Sequence, residues 1–156
     1  MMKPQDSLLA QVVEETLEQF AFLFGEPDAD ARAEEGQAYY EAAIGFSGKG
    51  QQGVLHIGAP VELCREMAGN FLGLEGEEIP PEASEDAIKE LANVLVGSYT
   101  ASKLGVDVCC KLDTPTARPA GAARMNELAA MEGALCFRVD EHLFVAVLMP
   151  AGGSGA

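Results

Sequence analysis

An α+β domain, in which a mainly antiparallel β-sheet carries two central helices and an N-terminal helix, is the fold class this sequence predicts. Three observations lead there. Apolar residues recur at helical spacing in three separate segments, and runs of strand character bracket the central pair of helices. The order is helix, hairpin, two helices and then strands, rather than the regular alternation that builds a parallel sheet.

The first helical segment runs from Asp6 to Phe24, where Leu8, Leu9, Val12, Val13, Leu17, Phe20, Leu23 and Phe24 keep helical spacing while Glu14, Glu15 and Glu18 occupy other faces. Gly25 to Gly36 is rich in Pro, Asp and Glu, and a solvated connection is expected there. Ala38 to Ser47 places Tyr40, Ala42, Ile44 and Phe46 on one face. Gly48-Lys49-Gly50 then supplies a turn, and Gly53 to Ile57 completes an expected β-hairpin. Pro60 suits the first position of a helix whose apolar face is Val61, Leu63, Cys64, Met67, Ala68, Phe71 and Leu72, and which should stop near Gly73 or Gly76.

Pro80-Pro81 breaks the chain before a second central helix. Ser84 is its expected cap, Glu85 and Asp86 fill the first turn, where negative charge suits the helix dipole, and the helix should reach about Leu104. Three extended segments follow, Val106 to Leu112, Ala134 to Val139 and His142 to Met149, the last two joined by an Asp140-Glu141 turn. Residues 1–150 are expected to form one domain and 151–156, built from Gly, Ser and Ala, a flexible tail.

Composition removes several function classes. Ten basic residues against 25 acidic ones give a formal charge of -15, which repels phosphate backbones and anionic lipid, so neither nucleic acid nor membrane is expected as a partner. Nothing resembles a secretory signal, no apolar run approaches the roughly 20 residues that cross a bilayer, and a cytoplasmic protein is expected. Cys64, Cys109, Cys110 and Cys136 lack metal-ligand spacing and read as ordinary thiols. His56 and His142 have no nucleophile at a recognisable spacing. The Gly48-Lys49-Gly50 segment lacks phosphate-loop spacing, and Met67 with Phe71 reads as core.

The second central helix carries the informative pattern. On a wheel of about 100° per residue, Asp86, Glu90, Asn93 and Gly97 fall within about 40° of one another, while Ile88, Leu91, Leu95 and Tyr99 lie near the opposite side. Glu90 and Asn93 should therefore project side by side from a well-packed support. A glycine inside a helix costs about 0.5–1 kcal/mol relative to alanine, and Gly97 on the exposed stripe would leave room for a close partner. By the wheel alone, the four can equally be solvated residues with no further role.

The spacing Asp86-x3-Glu90-x2-Asn93 within EDAIKELANVLVGSYTASKLG, followed by Pro115 in KLDTPTA, resembles the signature of the CheC, CheX and FliY family of chemotaxis phosphatases, and is most similar to CheX-type members. The resemblance extends to the order of elements and so to roughly residues 5 to 150. It implies a phosphatase that hydrolyses the aspartyl phosphate of a CheY-like response regulator. Asn93 would orient the attacking water and Glu90 would dock to the regulator's active-site lysine, with Asp86 and Gly97 as partner contacts. It implies no cofactor of the chain's own, Mg2+ on the response-regulator partner, and a homodimer paired through the sheets.

An internal echo, Cys64-Arg-Glu66-Met-Ala-Gly69-Asn70 against Ile88-Lys-Glu90-Leu-Ala-Asn93-Val, suggests a second copy of the motif. CheC-type relatives carry Glu-x2-Asn on both helices. Here Gly69 stands where the asparagine would fall and Asn70 is displaced by about 100°, so one active face per chain is expected. The rival from another class is a non-catalytic response-regulator-binding or flagellar-switch-like adaptor. A third reading is a structural dimer whose polar helix face is only wet.

Overall fold

The computed structural model describes residues 4–105 and 110–150. The chain runs α1 (Pro4–Gln19), β1 (Gly25–Pro27), β2 (Tyr39–Gly48), β3 (Gln51–Pro60), α2 (Val61–Leu72), α3 (Ala83–Leu104), β4 (Lys111–Leu112), β5 (Thr116–Ala120), α4 (Ala122–Ala129), β6 (Leu135–Val139) and β7 (His142–Met149), with a short 3-10 turn at Gly76–Glu78. The strands form one sheet in the order β1-β6-β7-β3-β2-β4, with β5 also paired to β2. Each of these pairings is antiparallel, as the predicted fold class requires.

Two tight hairpins set the register of the sheet. In β2–β3 the turn residues Lys49 and Gly50 have φ of 50° and 77°, and in β6–β7 Asp140 and Glu141 have φ of 49° and 66°. Two successive left-handed residues give the turn whose twist matches paired strands. The expected hairpin is thus present, β2 shifted by one residue and β3 longer than the periodicity alone marked.

Alternation then sorts the side chains onto two faces. Ala42, Ile44 and Phe46 of β2, Leu55, Ile57 and Ala59 of β3, Phe137 and Val139 of β6, and Phe144 and Ala146 of β7 form the main core with α1, α2 and α3. Tyr39, Leu143, Val145 and Val147 face the other way, against Met125 and Leu128 of α4. The expected three-helix layer therefore lies on one face, and α4, where the sequence pattern marks no helix, covers part of the other.

Several local expectations are corrected. Helix α1 stops at Gln19 rather than Phe24, because the chain turns at Phe20–Phe22, with Phe22 at φ 59°. The expected solvated connection contains β1, which pairs with β6, and Asp28 of that segment pairs with Arg138. Pro60 ends β3 and caps α2 with extended backbone, one position before the helix begins. Ser84 is a buried residue within α3, and Glu82 occupies the cap position without a side-chain hydrogen bond. Of the Val106–Leu112 strand, β4 keeps Lys111 and Leu112, residues 106–109 lying outside the described residues, as does the 151–156 tail.

The outer face of the sheet holds one buried charge. The Glu41 carboxylate, 3% exposed, accepts hydrogen bonds from Arg124 (2.8 and 2.9 Å), Arg118 (3.2 Å) and His56 Nδ1 (3.0 Å). Burial pushes this carboxyl up, but the bonds from His56 and Arg124, the Arg124 charge and the Arg118 bond outweigh it and hold the group well below the usual carboxylate range. The network ties β2 to β3, to the edge strand β5 and to α4.

Removing one partner of a buried pair leaves the others unmatched, and Arg118 is 66% exposed and counts for little, so Glu41→Ala should cost about 3 kcal/mol in urea unfolding. The folded value is depressed, so the contribution is complete above the unfolded carboxylate pKa of about 4.3 and fades as pH falls further. Wild type should therefore lose stability below about pH 4 more steeply than Glu41→Ala does.

Candidate functional site

Helix α3 is the most heavily packed helix among the described residues. It packs on α1, α2, β2 and β5, and its 22 residues span about 33 Å. Ile88, Leu91 and Leu95 are completely buried and Tyr99 nearly so. Burying that face fixes the rotation of the helix, and the predicted stripe emerges on the other side. Asp86 and Glu90 are exposed, and Asn93 and Gly97 are partly exposed. All four sequence-predicted site residues are therefore brought together along one line, about one turn apart.

Their surroundings differ. Asp86 is paired with Lys89 at 3.6 Å, the two side chains being 69% and 35% exposed, so this is a solvated i,i+3 pair of little energetic weight. Among the described residues no protein group hydrogen-bonds the Glu90 carboxylate or the Asn93 carboxamide. Both are presented rather than consumed. A Cβ placed on Gly97 would meet nothing within 4 Å, so the glycine is not required by packing within the chain, and the space above it is open. The cost of a helical glycine is therefore uncompensated by packing inside this fold.

The echo helix is built differently. A Cβ on Gly69 would lie 2.9 Å from the Leu74 carbonyl oxygen and 3.0 Å from Ile79 Cδ1. The segment after α2 folds back against this position, where Leu74 N–H donates to the Gly69 carbonyl at 3.0 Å. Asn70 donates its amide to the Ala21 carbonyl at 2.8 Å and so anchors the end of α1. Glu66, the counterpart of Glu90, faces the β6–β7 turn, where desolvation and the Asp140 carboxyl raise its pKa while His142 opposes the shift. Gly69 and Asn70 of the echo are thus committed to structure.

Other predicted non-sites fall out as expected of structural residues. Cys64 is fully buried, its thiol pushed up to about 12 by burial. His56 serves the Glu41 network, and His142 lies 3.7 Å from Glu62. Among the described residues no group of His, Cys, Asp and Glu is arranged to hold a metal ion, and no helix is long and apolar enough to cross a membrane.

What sequence reasoning missed is a recess beside the stripe. Ala68, Phe71 and Leu72 of α2 and Ala83, Asp86, Ala87 and Glu90 of α3 enclose about 250 Å³. Leu72 carried no sign of it in the sequence, where it groups with the apolar face of α2, but in the fold it is 53% exposed.

Comparison with known proteins bears on the family and the fold. Residues 40–145 match the family model of the chemotaxis phosphatase CheX. No curated protein matches by sequence. Among solved structures, the chemotaxis protein CheX of Vibrio vulnificus superposes with a TM-score of 0.70 at 15% identity, covering 94% of this chain and 96% of that one. CheX of Desulfovibrio desulfuricans gives 0.68 at 13%, covering 95% and 99%. A Borrelia burgdorferi CheX solved in complex with CheY, BeF3 and Mg2+ gives 0.58 at 12%, covering 92% and 95%. At such identities the superpositions speak for the fold alone.

If Gly69 is structural, restoring the second motif should fail. Gly69→Asn is expected to lower stability by about 1–3 kcal/mol in thermal or urea unfolding, despite glycine's poor helix propensity. A neutral or stabilising effect would show that the Leu74 carbonyl and Ile79 move aside at no cost.

Proposed function

This chain belongs to the CheX family of chemotaxis phosphatases, and we propose that it hydrolyses the aspartyl phosphate of a CheY-like response regulator, with one active face per chain. The observation that carries the reading is the Asn93 carboxamide, which sits on a rigid helix without a protein partner among the described residues, one turn from an equally free Glu90 and an open Gly97.

The reaction needs one thing an acyl phosphate pocket lacks. The regulator brings its own lysine and Mg2+, which neutralise charge on the transferring phosphoryl group, but the water that attacks phosphorus must be held in line with the leaving carboxylate. Asn93 is suited to hold it. Its oxygen accepts a hydrogen bond from the water and its nitrogen donates one to a phosphoryl oxygen, without adding a negative charge to the site. The water oxygen bonds to phosphorus, the bond from phosphorus to the aspartate oxygen breaks, and the aspartate leaves as carboxylate while both of the water's protons depart with inorganic phosphate as dihydrogen phosphate.

Glu90, one turn earlier, docks to the regulator's lysine and so sets the position of Asn93. Asp86 extends the acidic rim, and Gly97 lets the partner's backbone come close. A chain of charge -15 meeting an acidic pocket gains little from long-range attraction, so a short-lived complex follows. The proposed setting is the cytoplasm, where response regulators act.

Phosphate release from phosphorylated regulators of the same cell decides the matter. Wild type should accelerate it, Asn93→Ala should lower kcat by about 100-fold or more with little change in KM, and Glu90→Ala should raise KM by about tenfold or more. Binding without acceleration by wild type would make the chain an adaptor instead. The resemblance also implies a homodimer paired through the sheets. Sedimentation velocity should show twice the chain mass of 16.4 kDa, and a species of one chain mass throughout would remove that part of the proposal.

A further inference from the structure

The recess between α2 and α3 has a composition that the catalytic reading does not use. Its walls are the apolar side chains Ala68, Phe71, Leu72, Ala83 and Ala87, and its rim carries the carboxylates of Asp86 and Glu90. The alanines are almost fully buried, and Phe71 is fixed from behind by Phe20 at a ring-centroid distance of 4.8 Å, so the floor is rigid. Gly73, at φ 69°, ends α2 directly after Leu72 and turns the chain away, which leaves the mouth open and Leu72 53% exposed.

The charged side chains that line the recess are both carboxylates, Asp86 and Glu90, with Lys89 held against Asp86 at 3.6 Å. They belong to a stretch of chain, residues 75 to 90, that has seven acidic residues and one base. Such a border repels acidic neighbours and favours a basic one, while the floor favours an apolar side chain.

We propose that this recess is an anchor pocket for the response regulator: one aliphatic or aromatic side chain of the regulator's surface, standing beside a basic residue, drops between Phe71, Leu72 and Ala87 while that basic residue meets Asp86 on the rim and Glu90 keeps the regulator's active-site lysine. The inference rests on the reading of Glu90 as the docking residue. Glu90 is at once a wall of the recess and a member of the catalytic stripe, so a regulator seated on the stripe already holds its surface against the mouth of the pocket. A single side chain buried in a preformed pocket at the edge of a polar contact is the usual form of an interface hot spot, and it lends affinity to a complex that net charge does little to favour. It acts equally on ground and transition states, and therefore on KM rather than kcat.

Leu72 gives a clean test because it is half in solvent and its replacement leaves the core intact. The full chain and its Leu72→Met, Leu72→Ser and Leu72→Asp variants are titrated with a response regulator locked in its phosphorylated form by beryllofluoride and Mg2+, and phosphate release is followed in parallel. Leu72→Met should bind as wild type does, Leu72→Ser about five- to tenfold more weakly, and Leu72→Asp more weakly still, with kcat unchanged in all three. If Leu72→Ser and Leu72→Asp bind with wild-type affinity while Glu90→Ala is weakened, the pocket carries nothing and the phosphatase reading is untouched. If they bind weakly but wild type speeds no phosphate release, the pocket stands and the catalytic reading falls.

Discussion

The burial of one face of α3 is the constraint on which the candidate site depends. Ile88, Leu91 and Leu95 have no exposed surface, and the helix is clamped by α1 and α2 on its flanks and by β2 and β5 beneath. A helix so held cannot rotate without pulling several large side chains out of the core, each worth about 1.5–3 kcal/mol when fully buried. The direction of Glu90 and Asn93 is therefore set by residues that never touch a partner. Positional accuracy of this kind is what the role proposed for Asn93 would require, since a misplacement of about 1 Å can cost about a hundredfold in rate.

The sheet beneath α3 has to be held from both sides. On the inner face apolar packing suffices. On the outer face the edge strand β5 has Arg118 and Pro119 in its five residues, and α4 has only two turns, so neither is an autonomous element. Glu41 supplies what propensity does not, by drawing Arg118 of β5 and Arg124 of α4 onto one buried carboxylate in β2. Since β5 in turn packs against α3, this network on the back of the sheet supports the helix on its front. The raised pKa of Glu66 works in the opposite sense, favouring the protonated fold at lower pH, but it belongs to an exposed group and carries little weight beside Glu41.

What was legible in the sequence follows from the strength of the periodic signal. Helix α3 has a wide apolar face opposite four aligned site positions, and both its extent and the exposure of its stripe could be read directly. The hairpins announced themselves through Lys49-Gly50 and Asp140-Glu141. Elements that exist through their partners did not. β1 is three residues whose place depends on β6, and β5 owes its place to β2 and to the Glu41 cage. Ser84 had the chemistry of a cap, but Ala83 already lies in the helix and the start was set by the chain folding back from Pro80, whose carbonyl accepts from the Ala83 N–H at 3.0 Å. Leu72 kept the periodicity of a core residue, and only the termination of α2 one residue later placed it at an open recess.

The asymmetry between the two central helices is the sharpest case of sequence acquiring meaning from structure. Read along the chain, Gly69 and Asn70 look like a catalytic motif slipped by one residue. In the fold they are two separate structural solutions, since Gly69 admits the returning Leu74–Ile79 segment and Asn70 closes the end of α1 through the Ala21 carbonyl. Gly97 is the counter-case, because its missing side chain makes room for nothing inside the molecule. One glycine is explained by the protein's own packing, and the other is not. The same distinction separates Asn70, whose amide is spent on the Ala21 carbonyl, from Asn93, whose amide has no protein partner among the described residues, and it is the ground on which the proposal places the working face on α3 rather than α2.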